Sequence, residues 1–255
     1  MTRIIGIVSA KGGVGKTTVT ANLGAALTSF GKRTAVVDCN LTNPHLGLIL
    51  GLLPNWKVTL NDVIKGRSKL SAAVHNHPSG LQVIPAAFEV RDIRSLNLHQ
   101  LRNRIRDTFS RQRVDFVILD SSPGLFNEGL LTLRACQEIY FVATPHMPAI
   151  IDITKTIALL KKRDAKPSGI ILNRVRNKPY ELRDDEIEHF THLPVLARIP
   201  EDENVLKATN FKVPVVTQHP GSKASVALSN FAADLAGIQK PTRFSFFGNL
   251  FRRGN

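Results

Sequence analysis

Residues 4–18 read Ile4-Ile5-Gly6-Ile7-Val8 and then SAKGGVGKTT, Ser9 to Thr18. An apolar, largely β-branched run feeds a turn that carries three glycines and two lysines between Lys11 and Lys16. A segment of small and apolar residues, Thr18–Phe30, leaves the turn and stops at Gly31, a residue suited to ending a helix. Strand, glycine-rich turn and helix in that order are the setting a phosphate-binding loop requires. Glycines let backbone N–H groups turn inward toward phosphate oxygens, and the helix adds its positive N-terminal end. In that setting Gly12, Gly13, Val14, Gly15 and Thr18 form the cradle. Lys16 reaches the β- and γ-phosphates of ATP, and the Thr17 hydroxyl faces Mg²⁺. The pattern GxxxxGK[ST] asks for Gly at position 10, where this chain has Ala10.

Further apolar runs follow at Thr34–Val37, Leu81–Ile84, Val114–Leu119, Ile139–Ala143, Gly169–Leu172 and Val195–Ile199. Most are continuous rather than alternating, as in strands covered on both faces. Helical patterns separate them. One starts at Ser95, with Leu98, Leu101, Ile105 and Phe109 on one face; others cover Met147–Lys162, Glu181–Phe190 and Ser222–Ala236. Thr59-Leu60-Asn61-Asp62 is a capping box that opens a short helix. Strand–helix alternation predicts an α/β fold, a mostly parallel twisted sheet with helices on both faces. Residues 1–240 make one domain. Beyond Gln239-Lys240-Pro241 the chain reads TRFSFFGNLFRRGN, which fits no α/β unit.

The 255 residues carry 34 Lys and Arg against 20 Asp and Glu, a net charge of +14. That excess favours anionic partners: nucleic acid, an acidic membrane or polyphosphates. Cys39 and Cys136 are far apart and form no CxxC pair, which argues against a zinc site or a disulfide scaffold. No apolar run approaches the ~18 residues of a membrane span. Arg3 and Ile4–Val8 are too short for a signal peptide, since Lys11 interrupts them. A cytoplasmic location is expected.

Lys11 narrows the class. KGGVGKT, Lys11 to Thr17, resembles the deviant Walker A motif of the MinD/ParA family of P-loop ATPases. The resemblance implies that Lys11 reaches across a two-fold interface to the partner's nucleotide, so that ATP pairs two copies. Other segments resemble the same family. Val37-Asp38-Cys39-Asn40 is similar to switch I, with Asp38 near Mg²⁺ and the attacking water. Leu119-Asp120-Ser121-Ser122-Pro123-Gly124 resembles the Walker B and switch II segment. There Asp120 would hold Mg²⁺ through water, and the Gly124 N–H would meet the γ-phosphate. Asn173 and Arg174 resemble the adenine-reading end of a late strand, and Pro200-Glu201-Asp202 the loop over the base. Asp152 resembles an acidic position that faces the signature lysine at the dimer interface. The family pattern in switch I is Asp-x-Asp, whereas this chain has Asn40 in the second place. An amide orients water but takes no proton, so slow hydrolysis is expected.

On a helical wheel Phe244, Phe246, Phe247, Leu250 and Phe251 span roughly 160° of one face, with Arg252 and Arg253 beyond them. Such a segment suits an interfacial membrane helix, and MinD proteins carry a short C-terminal one. Residues 241–255 are therefore expected to bind the anionic cytoplasmic face of the cell membrane. One copy should bind weakly, and two copies in a dimer more strongly. The expected function is a MinD-like ATP switch that positions a protein partner at the membrane. Two alternatives stay open: a ParA-like ATPase that binds DNA without sequence preference, and a nucleotide-dependent scaffold that hardly hydrolyses ATP.

Overall fold

The computed structural model describes residues 2–52, 55–88, 101–124, 129, 132–133, 135–160 and 166–238. Its elements in chain order begin with β1 (Arg3–Val8), α1 (Lys16–Ser29), β2 (Thr34–Asp38), α2 (Leu46–Ile49) and α3 (Leu60–Ile64). A 3₁₀ turn (Leu70–Ala73), β3 (His75–Asn76), β4 (Gln82–Ile84), α4 (Leu101–Arg111), β5 (Phe116–Asp120) and β6 (Glu138–Ala143) follow. The chain continues through α5 (Met147–Leu160), β7 (Lys166–Val175), α6 (Asp184–Thr191), β8 (Val195–Pro200), α7 (Glu203–Asn210), α8 (Val215–Gln218) and α9 (Lys223–Ala236).

The strands form one sheet in the order β3-β4-β2-β5-β1-β6-β7-β8, and only the β3–β4 pair is antiparallel. The continuous apolar runs explain this. Along β1, Ile4 and Val8 point into one apolar layer and Ile5 and Ile7 into the other. Successive side chains of a strand face opposite ways, so a strand buried on both faces has no polar position to spare. The first layer is closed by α3, α4, α5 and α6 through Val63, Ile105, Phe109, Ile150, Ile153 and Ile187. The second is closed by α1, α8 and α9 through Leu23, Leu27, Val215, Leu228 and Phe231. Each fully buried aliphatic side chain contributes about 1.5–3 kcal/mol of transfer free energy.

All seven expected strands are present, and the mostly parallel α/β fold is as the alternation predicts. Gly31 follows the last turn of α1 at φ 75°, in its expected place. The Thr59 box forms: the Asp62 carboxylate accepts from the Thr59 N–H at 3.0 Å. The helix expected from Glu181 starts later, at Asp184. Glu181 is buried, and its carboxylate instead accepts from the N–H groups of Arg176 and Asn177 at 2.8–3.1 Å, closing the loop before α6. Residues 95–100 of the helix expected from Ser95, residues 161–162 and the tail 241–255 lie outside the described residues. Among the described residues no helix is long and apolar enough to cross a membrane.

Candidate functional site

Parallel strands place their carboxyl ends along one edge of the sheet, where α/β folds hold their ligands. β1 ends there at Val8, and the turn that follows leads into α1. Gly15 stands at the head of α1 with φ 97° and ψ 22°, a left-handed conformation that an L side chain rarely adopts. Space excludes a side chain as well: a Cβ on Gly15 would come within 2.1 Å of the Asn173 amide nitrogen. That nitrogen donates to the Val14 carbonyl at 2.8 Å, so the late strand β7 braces the loop from behind. The Asn173 side chain, expected at an adenine edge, has this bond to the loop backbone.

β2 and β5 are neighbours in register, with Asp38 opposite Asp120 at their ends. Both carboxylates are buried. Asp38 accepts from the N–H groups of Asn40 and Leu46, each at 3.1 Å. Asp120 accepts from the Thr20 hydroxyl at 3.4 Å through one oxygen, while its Oδ2 is buried with no partner among the described residues. Burial first, and the charge of Asp120 second, push Asp38 well above the usual carboxylate range. Burial pushes Asp120 up to about 6, against the pull of Thr17, Lys16 and Thr20. Lys16 is itself buried, which lowers its pKa, and the charge of Asp120 opposes that shift. Two acids and one base are thus buried together beneath a phosphate loop.

The oxygen donors of Thr17, Asp38 and Asp120 suit a hard cation such as Mg²⁺, which commonly takes one or two carboxylates and leaves other positions to phosphate and water. The unpartnered Oδ2 of Asp120 gives such an ion a ligand or a water-mediated anchor. Each Asp38 oxygen accepts one backbone N–H, so this carboxylate also holds the 40–46 segment at the site.

Lys11 is half-exposed, and its Nζ pairs with the Asp152 carboxylate at 3.2 Å within the same chain. Asn40 is not free to swing: its Nδ2 donates to the Asn43 carbonyl at 2.7 Å, and its Oδ1 is buried with no partner among the described residues. The Gly124 N–H donates to the Ser9 carbonyl at 3.1 Å, so a contact with phosphate requires that bond to open.

A cleft of about 710 Å³ opens above the loop. Gly12, Gly13, Gly15, Lys16, Thr17 and Thr18 form its floor, Asn40, Asn43 and His45 one wall, and Pro123 and Arg174 reach it from the other side. Thr209 and Asn210, at the end of α7, and Lys212, in the turn after it, complete it. These last three were not expected from the sequence. Pro200, Glu201 and Asp202, expected over the base, are not among the lining residues. Glu201 is bonded to the Arg176 guanidinium, at 3.0 Å for one of the two contacts. Asp202 caps α7 by accepting from the Asn204 N–H at 2.9 Å, and it also accepts from the Ala224 N–H at 3.1 Å. The signal for this was present: Asp202-Glu203 ahead of Val205 and Ala208 is a helix start. Cys39 and Cys136 are free thiols, both buried in the same apolar layer.

A glycine-rich loop between the first strand and first helix, over paired carboxylates at adjacent strand ends, defines a P-loop nucleotide-binding protein. The chain belongs to the CobQ/CobB/MinD/ParA nucleotide-binding domain family (CbiA), which matches residues 5–215. An uncharacterized ATP-binding protein of Methanocaldococcus jannaschii is 36% identical over 235 residues, 92% of this chain and 88% of that protein. The septum site-determining protein MinD of Pyrococcus horikoshii, solved with Mg-ADP, superimposes with a TM-score of 0.86 at 32% identity, covering 95% of this chain and all of that one. A chain of the MinC:MinD cell division complex of Aquifex aeolicus gives a TM-score of 0.83 at 26% identity, covering 95% and 99%.

Proposed function

We propose that this protein is a MinD-like ATP switch: it binds ATP with Mg²⁺, pairs with a second copy across the bound nucleotides, and hydrolyses ATP slowly. The observation that carries the reading is the buried triad of Asp38, Asp120 and Lys16 beneath the loop, with Asp120 Oδ2 unpartnered. Buried charges of this kind are costly unless a ligand completes them. Lys16 and the N–H groups of the loop offset phosphate charge. Thr17 and Asp120 hold the metal, which when bound supplies further neutralisation of that charge. Asp38 fixes switch I, and Asn40 orients water without accepting its proton. Arg174, which lines the cleft, reaches toward the base, and Asn173 supports the loop beneath it. Lys11 leaves Asp152 to reach the second copy's phosphates.

The tail, residues 241–255, would then anchor the pair at the cytoplasmic face of the membrane, where it positions a protein partner. Phe244, Phe246, Phe247, Leu250 and Phe251 supply the apolar face, and Arg252 and Arg253 the contact with anionic lipid. Co-sedimentation with anionic vesicles in ATP or ADP, for the full chain and for a chain ending at Lys240, tests this. Pelleting that needs both ATP and the tail is expected; equal pelleting of the two chains would remove the tail from the mechanism.

The net charge of +14 supports a second reading, a ParA-like ATPase that binds DNA without sequence preference. A DNA shift assay over a salt series separates the two, since only the second reading predicts ATP-dependent retention of duplex DNA by the truncated chain.

A further inference from the structure

A second cleft, of about 660 Å³, shares no lining residue with the nucleotide cleft. One wall is the turn from Gly66 to Ser71, and the other is the outward face of α4. The helix is two-sided. Leu101, Ile105 and Phe109 are buried in the core, while Arg104, Thr108 and Arg111, at helical spacing, face the cleft. Arg111 and Gln112 lie just before β5 begins, away from the strand ends that hold the phosphate loop.

The charge here is concentrated. Residues 65–71 and 101–113 contain eight Lys and Arg and a single carboxylate, Asp107, which is half of the net +14 of the whole chain. Arg67, Lys69, Arg104 and Arg111 line the cleft itself. Asp107 also belongs to the lining, and its carboxylate lies 3.4 Å from the Nε of the neighbouring Arg106. Hydroxyls of Ser68, Ser71 and Thr108 lie among the cations, and Leu70 is the one apolar residue in the lining.

We propose that this cleft binds a small anion carrying two or more phosphate groups. Guanidinium groups grip phosphate oxygens in pairs, and hydroxyls fill the remaining acceptor positions. Cations stand on both walls of a space whose size falls in the range of small-ligand sites, and one of them, Arg104, also donates to the Val63 carbonyl. A single orthophosphate would not span it. No aromatic ring among the lining residues offers a platform for a base, so recognition rests on the phosphates. The inference is independent of the switch reading, because it uses no residue of the phosphate loop.

Tripolyphosphate is the probe, titrated calorimetrically into the full chain carrying Lys16→Gln, which removes the buried cation of the phosphate loop. One binding event is expected. Adding Arg67→Gln and Arg111→Gln, both at exposed positions, should weaken it roughly tenfold or more, as the loss of two charge-assisted contacts requires. If Lys16→Gln proves unfolded by circular dichroism, the comparison is made in the otherwise unaltered chain, where the two arginine changes should abolish one of two events. Unchanged binding after the arginine changes, or no binding once Lys16 is replaced in a folded chain, overturns the proposal. So does a short DNA duplex that binds the cleft more tightly than tripolyphosphate at physiological salt and is lost with the same arginines, which would assign the site to nucleic acid.

Discussion

Lys11 and Asp152 are both partly exposed, and an ion pair of that kind contributes about 0.2–1 kcal/mol. The contact is weak enough for Lys11 to exchange it for a second copy's phosphates. Lys11→Ala should therefore leave nucleotide affinity nearly intact while abolishing ATP-dependent pairing, read by light scattering with hydrolysis blocked. Asn40 has a structural duty beside its place at switch I. Asn40→Asp replaces an amide that donates to the Asn43 carbonyl by a carboxylate that repels it. We expect the variant to lose about 1–3 kcal/mol of stability and to hydrolyse ATP faster, a split that thermal melts and phosphate release measure together. A variant that is destabilised with no gain in turnover would show that position 40 serves the turn alone. Asp120 sets a pH dependence. Its pKa in the folded chain is about 6, above the ordinary carboxylate value. The folded state thus holds the proton more tightly than the unfolded one. The destabilisation is complete above about pH 6 and disappears as pH falls below the unfolded value near 4. Without nucleotide, the melting temperature should rise from pH 7 to pH 5, and Asp120→Asn should flatten that rise, which corresponds to about 1 kcal/mol of stability.

Long apolar runs and marked helix starts were legible in the sequence, whereas several short elements, and the eight-residue α7, were not. The long apolar runs became β1, β2, β5, β6 and β7 because a strand covered on both faces admits no other composition. The four-residue helices α2 and α8 and the two-residue β3 carry no periodic signal. The phosphate loop was legible because backbone geometry and phosphate chemistry both demand its glycines. The far wall of the cleft was not, since Thr209, Asn210 and Lys212 reach it only through the path of α7 and the turn after it. Asp202 shows a related ambiguity: an acidic residue after a strand reads equally as a ligand contact or a helix cap, and its hydrogen bonds are those of a cap. At this scale Gly15→Ala joins two elements. The added Cβ meets the amide of Asn173 on β7, and φ of 97° strains it further. A loss of about 1–3 kcal/mol, together with loss of nucleotide binding, is expected from melts and a fluorescent-nucleotide titration. Trp56, the single tryptophan, offers a readout: its ring stacks on Phe88 and lies against Gly47 of α2, the helix whose first N–H is held by Asp38.

For the whole molecule, the two ends of the chain have to be considered together. A tail of about ten interfacial residues binds membrane weakly as a single copy, and two copies held in one particle gain effective concentration. If pairing across ATP is what doubles the anchor, a chain unable to pair should behave on vesicles as though it always held ADP. Lys11→Ala, with its tail intact, is therefore expected to pellet with anionic vesicles to the same small extent in ATP and in ADP, while the unaltered chain pellets only in ATP. The +14 charge predicts that this retention weakens as salt rises, because attraction to an anionic surface is screened within about 8 Å at physiological ionic strength. ATP-dependent pelleting of Lys11→Ala would separate membrane binding from pairing and leave the tail to be exposed by a change within one copy. Equal pelleting of the unaltered chain in both nucleotides would make the tail a permanent anchor, and the switch would then act on the protein partner instead of on the membrane.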